Sequence, residues 1–492
     1  MSIAQKAAQG VAWNIFFGVG SRLLQLVGTL VLTRFIAPDA YGAVLSASIA
    51  VVTAGISTSF AFGQYLIAHR ADAKVAFQAA VVHVLLGIAT MSVVVEFRSP
   101  LAAWLDIPDV ALYVPGFAAA HMLDRLRYVP ERLLLRDLRF RVIAAINGAA
   151  ELLFTAVALL LVKQFGALAI MIATIVRAGF STLLVSWMAP REQWLVPSRL
   201  NAPDVRALLG YGTPIMLSSI SDHASTRLDN ILMSKLFGPG VMACYALAYS
   251  LAEMPVQSVA GNIAEVLMPS YSKLAVAQRH AAVIKSAALM TLVVAPLGVG
   301  LGAVAPTLVA AFFDAKWAAI APMLVILSVM TIFRPMAWPV TAYLQAAQRP
   351  RLVMYASVSR ALVIVALVAL FGLLGGPLWA TAGACIGYAF HAAFTIGAAG
   401  VGTGMPIRDY LAAVARPFML CVPMFLGTVA VGWLLASSSL PIVAILTIQM
   451  GCGAVIYGVA AFVFARPITM TLLKLGAAAV GRRSPVLQTG AD

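Results

Sequence analysis

The sequence predicts an all-α polytopic membrane protein of about fourteen transmembrane helices, built as two six-helix bundles in a parallel pseudo-two-fold arrangement plus two extra C-terminal helices. Three observations predict it. The 492 residues are 62% hydrophobic and only 10% charged, and mean hydropathy is +0.96, whereas soluble domains carry about 25% charged residues. Stretches of about 20 mostly apolar residues, enough to cross a bilayer, recur along the whole chain. Lipid offers no partner to backbone N–H and C=O groups, so each such stretch must be a helix. The third observation is an internal repeat, described below.

In chain order the spans are expected at 11–33, 43–67, 76–96, 110–130, 142–162, 166–189, 207–234, 241–267, 283–303, 318–346, 352–374, 377–400, 410–434 and 438–463. Asp124 and Arg125 make 110–130 the weakest of them. With a cytoplasmic N-terminus, one side of the membrane holds Lys6, Arg70, Lys74, Arg132, Arg136, Arg139, Arg191, Arg199 and most other cations. The opposite side holds Arg34, Arg98, Lys163, Lys235 and Lys316. Basic residues stay in the cytoplasm, so both termini of this multi-pass protein are expected there. The formal net charge of +15 has the same origin, and nucleic acid is not an expected partner. The basic stretch 131–141 reads as an interfacial helix beside anionic membrane lipids. Cys244, Cys385, Cys421 and Cys452 lie in apolar stretches without metal-ligand spacing, so neither a metal nor a cofactor is implied.

The repeat links the first and seventh spans. TRFIAPDAYG (33–42) and SKLFGPGVMA (234–243) each place a cation before a proline turn that opens the next long helix. Pro38 aligns with Pro239, Arg34 with Lys235 and Arg22 with His223. Both copies run from inside to outside, which makes parallel repeats. The expected organisation is an N-terminal six-helix bundle (1–190), a cytoplasmic linker (191–204), a C-terminal six-helix bundle (205–400), two additional spans (401–463) and a cytoplasmic tail (464–492).

The seventh span carries the chemistry. At about 100° per residue, Ser218, Ser219, Asp222, His223, Thr226, Arg227, Asp229 and Asn230 share one side, and Leu217, Ile220, Ala224, Leu228 and Ile231 the other. Charges at membrane depth are costly and mark function by default. Span 1 aligns Asn14, Arg22, Gln25, Thr29 and Thr33; span 2 aligns Ser46, Thr53, Ser57 and Gln64; span 8 aligns Tyr245, Tyr249, Glu253 and Gln257. A single Ser or Thr usually bonds its own helix or a neighbour, but four polar faces in repeat-related spans suggest a shared polar cavity. Arg22, Arg227 and Arg334 are mid-span guanidinium groups suited to bidentate phosphate recognition, whereas Arg360 lies nearer the cytoplasmic side and could snorkel to it. Asp222, Asp229 and Glu253 could bind sugar hydroxyls, with Gln25, Asn230 and Tyr249 as further substrate-binding candidates, and Asp222, Asp229, Glu253 and His223 could instead carry a coupling proton or cation. Arg177 has a structural partner at similar depth in Glu151.

Several segments resemble a known family. LTRFIAPDAYGAVLSASI (32–49), VPERLLLRDLRF (129–140), RLDNILMSKLFGPGVMACYALAYSLAEMPV (227–256) and VLMPSYSKL (266–274) are similar to polysaccharide-export members of the multidrug/oligosaccharidyl-lipid/polysaccharide superfamily. The resemblance implies a Wzx-type flippase that moves undecaprenyl-pyrophosphate-linked oligosaccharide units across the inner membrane for exopolysaccharide or O-antigen assembly. It implies alternating access through a central cationic cavity, to which Arg22, Arg227, Arg334 and Arg360 are assigned by position and charge, with a polysaccharide polymerase and a chain-length regulator as candidate partners. Two other readings stand beside it. A cation-coupled multidrug exporter of the same superfamily would want an acidic cavity. A membrane polymerase or acyltransferase would want a large loop and a catalytic constellation, and neither a Ser/His/Asp arrangement nor such a loop appears, so no enzyme activity is expected.

Overall fold

The computed structural model describes residues 27–69, 72–137, 139–257, 267–268 and 270–480, together with Gly20 and Gln25. These residues are overwhelmingly helical. In order, the helices are α1 (Pro38–Ile56), α2 (Phe62–Ala68), α3 (Ala73–Glu96), α4 (Arg98–Leu105), α5 (Val110–Arg136), α6 (Phe140–Phe165), α7 (Leu168–Met188), α8 (Ala202–Phe237), α9 (Pro239–Val256), α10 (Val276–Phe312), α11 (Ile320–Ala346), α12 (Pro350–Gly375), α13 (Pro377–Thr403), α14 (Ile407–Met419), α15 (Cys421–Leu435), α16 (Ile442–Phe464) and α17 (Arg466–Val480), and a further helical stretch covers 27–35. Ten helical segments among the described residues are long and apolar enough to cross a membrane, α14 and α15 counting as one, so this is a multi-pass membrane protein. Three expected spans correspond to helices outside that set, α5, α8 and α9, which have 27, 36 and 18 residues. Most of the expected first span lies outside the described residues.

The described residues group into two compact units. The first takes those within Met1–Leu247, Phe312–Ile320 and Ser357–Ala384; the second takes those within Ala248–Ala311, Ala321–Ala356 and Cys385–Asp492. In the first unit α5 packs on α7 and α3, α6 on α7, and α1 on both α5 and α8. Ala43, Ala47, Ala118, Ala158, Ala169 and Ala173 are buried in this core beside Val44, Val110, Val114 and Phe117. Small residues let helix backbones approach closely, which is how helices associate where lipid is as apolar as leucine. In the second unit Val283, Ala287, Met290, Val340, Tyr343, Ile396, Tyr410 and Val414 form the core. Its buried hydroxyls find backbone partners: Tyr410 donates to Met336 O (2.5 Å) and Tyr457 to Leu292 O (2.8 Å). Leu160, Leu183, Leu373, Trp433 and Phe464 stay exposed, an apolar surface that lipid covers.

Three expected elements differ. The second span is broken: α1 ends at Ile56, and α2 begins at Phe62 after Ala61 takes a left-handed φ of 49°. Its last turn tightens to i→i+3 bonds, with Thr58 N donating to Gly55 O (3.3 Å) and Ser59 N to Ile56 O (3.0 Å). The expected span 410–434 is interrupted at Leu420, where Pro423 has no N–H to donate to the Met419 carbonyl. The stretch 131–141 is not a separate interfacial helix. Residues 131–136 complete α5, and Leu133 and Leu134 are fully buried there.

Candidate functional site

The polar side of α8 is partly used inside the first unit. Pro203 opens this helix and Gly238 follows it with a φ of 86°, the usual assignment of proline to starts and glycine to ends. Asp229 and Asn230 are each 1% exposed. Asp229 Oδ2 accepts from Tyr245 OH (2.6 Å), and Oδ1 accepts from the backbone and side-chain nitrogens of Asn230 (2.8 and 3.0 Å). A buried carboxylate needs such donors, so Asp229 and Asn230 point into protein here, not toward an open sugar-binding face. Ser234 and Ser46 hydroxyls meet at 3.1 Å. His223 Nε2 lies 3.0 Å from Thr53 Oγ1, which itself donates to Ile49 O (2.7 Å). Arg227, one turn beyond His223, is exposed.

A second cluster lies within the second unit. Arg334 is 8% exposed and donates to Glu253 Oε1, to Tyr249 OH (2.9 Å) and to Tyr388 OH (3.1 Å). The two hydroxyls touch each other at 2.7 Å. The guanidinium carbon stands 4.9 Å from the Tyr388 ring centre and 5.8 Å from that of Tyr249, within reach of cation–π attraction. Gln257 adds a bond to Glu253 at 3.0 Å. Arg334 and Tyr249 were expected to face cargo as open groups. The structure instead closes them on each other, because a buried guanidinium must find a counter-charge and acceptors.

Of the other expected site residues, Gln25 is exposed and Arg360 half-buried. Arg22 lies outside the described residues, as does the side chain of Asp222. Glu151 and Arg177 pair at 3.5 Å, as their matching depth suggests. They line a polar cavity of about 380 Å³ with Asp124, Arg127, Glu131 and Asn147.

The residue that sequence reasoning passed over is Arg125, which is 4% exposed. Its guanidinium bonds the end of α1 at Gly55 O, Thr58 O (3.2 Å) and Thr58 Oγ1 (2.9 Å). Ser, Thr and Gly crowded at 55–59 inside a nominal span were the available signal, since these residues favour helix ends.

The two repeat-related turns meet inside the first unit. A methyl group on Gly42 would lie 1.9 Å from Pro239 O, and one on Gly240 would lie 2.4 Å from Asp39 Oδ1. Lys235, just before the second turn, forms an ion pair with Asp106 at 2.5 Å, and Trp317 Nε1 donates to Thr33 O at 2.9 Å.

The fold is that of known transporters. It superimposes on "Lipid II flippase MurJ, inward closed conformation" with a TM-score of 0.75 at 15% identity, covering 92% of this chain and 99% of that one. An inward-facing multidrug resistance MATE family transporter of the MOP superfamily gives 0.59 at 17% identity, covering 80% and 96%. By sequence the chain is 23% identical over 440 residues to the lipopolysaccharide biosynthesis protein WzxC of Escherichia coli (strain K12), covering 88% of this chain and 89% of that one. It is also 23% identical to the succinoglycan biosynthesis transport protein ExoT of Rhizobium meliloti (strain 1021), covering 66% of each. Residues 31–322, more than half of the chain, match the family described as "Polysaccharide biosynthesis protein", and the chain belongs to that family.

Proposed function

We propose that this protein flips undecaprenyl-pyrophosphate-linked oligosaccharide repeat units across the bacterial inner membrane during exopolysaccharide or O-antigen synthesis. Family membership supports the pathway, and the relatives' names, a biosynthesis transport protein and a lipid II flippase among them, support translocation of a lipid-linked glycan. The observation that carries the reading is Arg227, a guanidinium exposed on a membrane-depth helix whose neighbours Asp229 and Asn230 are buried. Such a group costs free energy in lipid and suits a diphosphate.

In this reading the repeat-related bundles 1–190 and 205–400 alternate access, with spans 401–463 appended and both termini in the cytoplasm. Arg22, Arg227, Arg334 and Arg360 supply the cationic lining, with Arg334 held in reserve by Glu253. Asp222 and Gln25 meet the sugar, while Asp229, Asn230 and Tyr249 shape the wall. His223 and Asp222 are the candidate coupling groups, since Asp229 and Glu253 are already engaged by neighbours. The protein performs no covalent chemistry, and a polymerase with its chain-length regulator receives the product.

Cells deleted for the gene should accumulate lipid-linked single repeats on the cytoplasmic face of the membrane. Accumulation on the outer face would instead make the protein a polymerase.

A further inference from the structure

Arg125 sits in a span, yet among the described residues no carboxylate pairs with it. A guanidinium has five N–H donors in a fixed fork, and here each donor position has an acceptor. Nε donates to His121 Nε2 (3.4 Å), one terminal nitrogen to Thr58 O (3.2 Å) and His83 O (3.4 Å), and the other to Gly55 O and Thr58 Oγ1 (2.9 Å). Three of the five acceptors belong to the last turn of α1 and the break that follows it. A helix end at membrane depth leaves carbonyl oxygens that lipid cannot solvate, and a cation there also answers the negative end of the helix dipole. Thr90 Oγ1 supports the same Thr58 hydroxyl at 3.0 Å. Gly55 has no room for a side chain: a methyl group would lie 2.2 Å from His121 Nε2.

The break and the end of α1 before it both bear on α8. On the α1 side, Thr53 holds His223 at 3.0 Å. Within the break, Phe60 O occupies the place that a methyl group on Gly212 would need, 1.8 Å away. Arg227 lies one helical turn from His223 on the same face. We infer that Arg125 is a positioning residue, a tethered cation that props the break in the second span and thereby sets the placement of α8 and of Arg227. Its export readout rests on the flipping reading above; its melting readout does not.

The test replaces Arg125 by alanine in the full-length protein and supplies guanidinium ion at millimolar concentration. In deletion cells the wild-type gene should restore polysaccharide export, and Arg125→Ala should fall at least tenfold below it. Guanidinium should raise export by Arg125→Ala several-fold and leave the wild type unchanged. For the purified proteins, guanidinium should raise the melting temperature of Arg125→Ala and not of wild type, and methylammonium should do neither. Arg125→Lys, with three donors on a compact head, should export at an intermediate level, and it serves where the alanine variant fails to accumulate. Wild-type export by Arg125→Ala or Arg125→Lys overturns the role, as does an Arg125→Ala protein indifferent to guanidinium in both readouts. Failure of the wild-type gene itself to restore export would sink the flipping reading and leave the melting test standing.

Discussion

Gly42 lies against Pro239 so closely that a methyl group on it would stand 1.9 Å from the proline carbonyl oxygen. Pro239 opens α9 and Gly42 lies in the second turn of α1, and Ser46 and Ser234 touch at 3.1 Å nearby. Backbone cannot yield as the tip of a flexible side chain can, so a larger residue at Gly42 forces the turns apart. Gly42→Val should therefore abolish export while the protein still accumulates in the membrane. Ser46→Cys combined with Ser234→Cys should form an oxidant-dependent disulfide, readable as a mobility shift, and Gly42→Val should suppress it. An unchanged disulfide yield in the valine background would show that the contact does not govern the closure.

The Arg334–Glu253 pair makes a stability prediction. Removing one partner of a buried ion pair leaves the other charge uncompensated, at a cost of about 3–5 kcal/mol. Glu253→Leu should therefore lower the melting temperature of the purified protein steeply. Glu253→Leu with Arg334→Met should recover most of that loss, because the charge and its counter-charge vanish together. A double variant as unstable as the single one would locate the stability in the tyrosine hydroxyls instead.

Arg227 should behave in the opposite way. It is exposed, and substitutions away from packed features shift stability by about 0.5 kcal/mol or less. Arg227→Ala should keep the wild-type melting temperature and lose most transport. Arg227→Lys should retain a fraction, since an ammonium contacts phosphate as a point charge and not as a fork. Loss of stability without loss of transport would assign Arg227 to the fold.

The fold was legible because hydropathy states it directly: most helices lie where apolar runs occur, and the Pro38 and Pro239 turns were visible as a pair. The break after Ile56 was not, because Phe60 and Phe62 keep the run apolar and the guanidinium that bonds the helix end, Arg125, is far away in sequence. The site was legible as a set of polar faces but not in its pairings. Ser46 and Thr53 share a face of α1 that was expected to line a cavity, and they bond Ser234 and His223 on α8. Arg334 had no carboxylate on its own helix, and its partner Glu253 became evident only when α9 and α11 were seen together.

The most direct measurement uses inverted membrane vesicles containing the protein and a lipid-pyrophosphate-linked oligosaccharide added outside. The account predicts protein-dependent appearance of the oligosaccharide in the lumen, reduced at least tenfold by Arg227→Ala. Translocation no faster than in protein-free vesicles, or equally fast with Arg227→Ala, would contradict it.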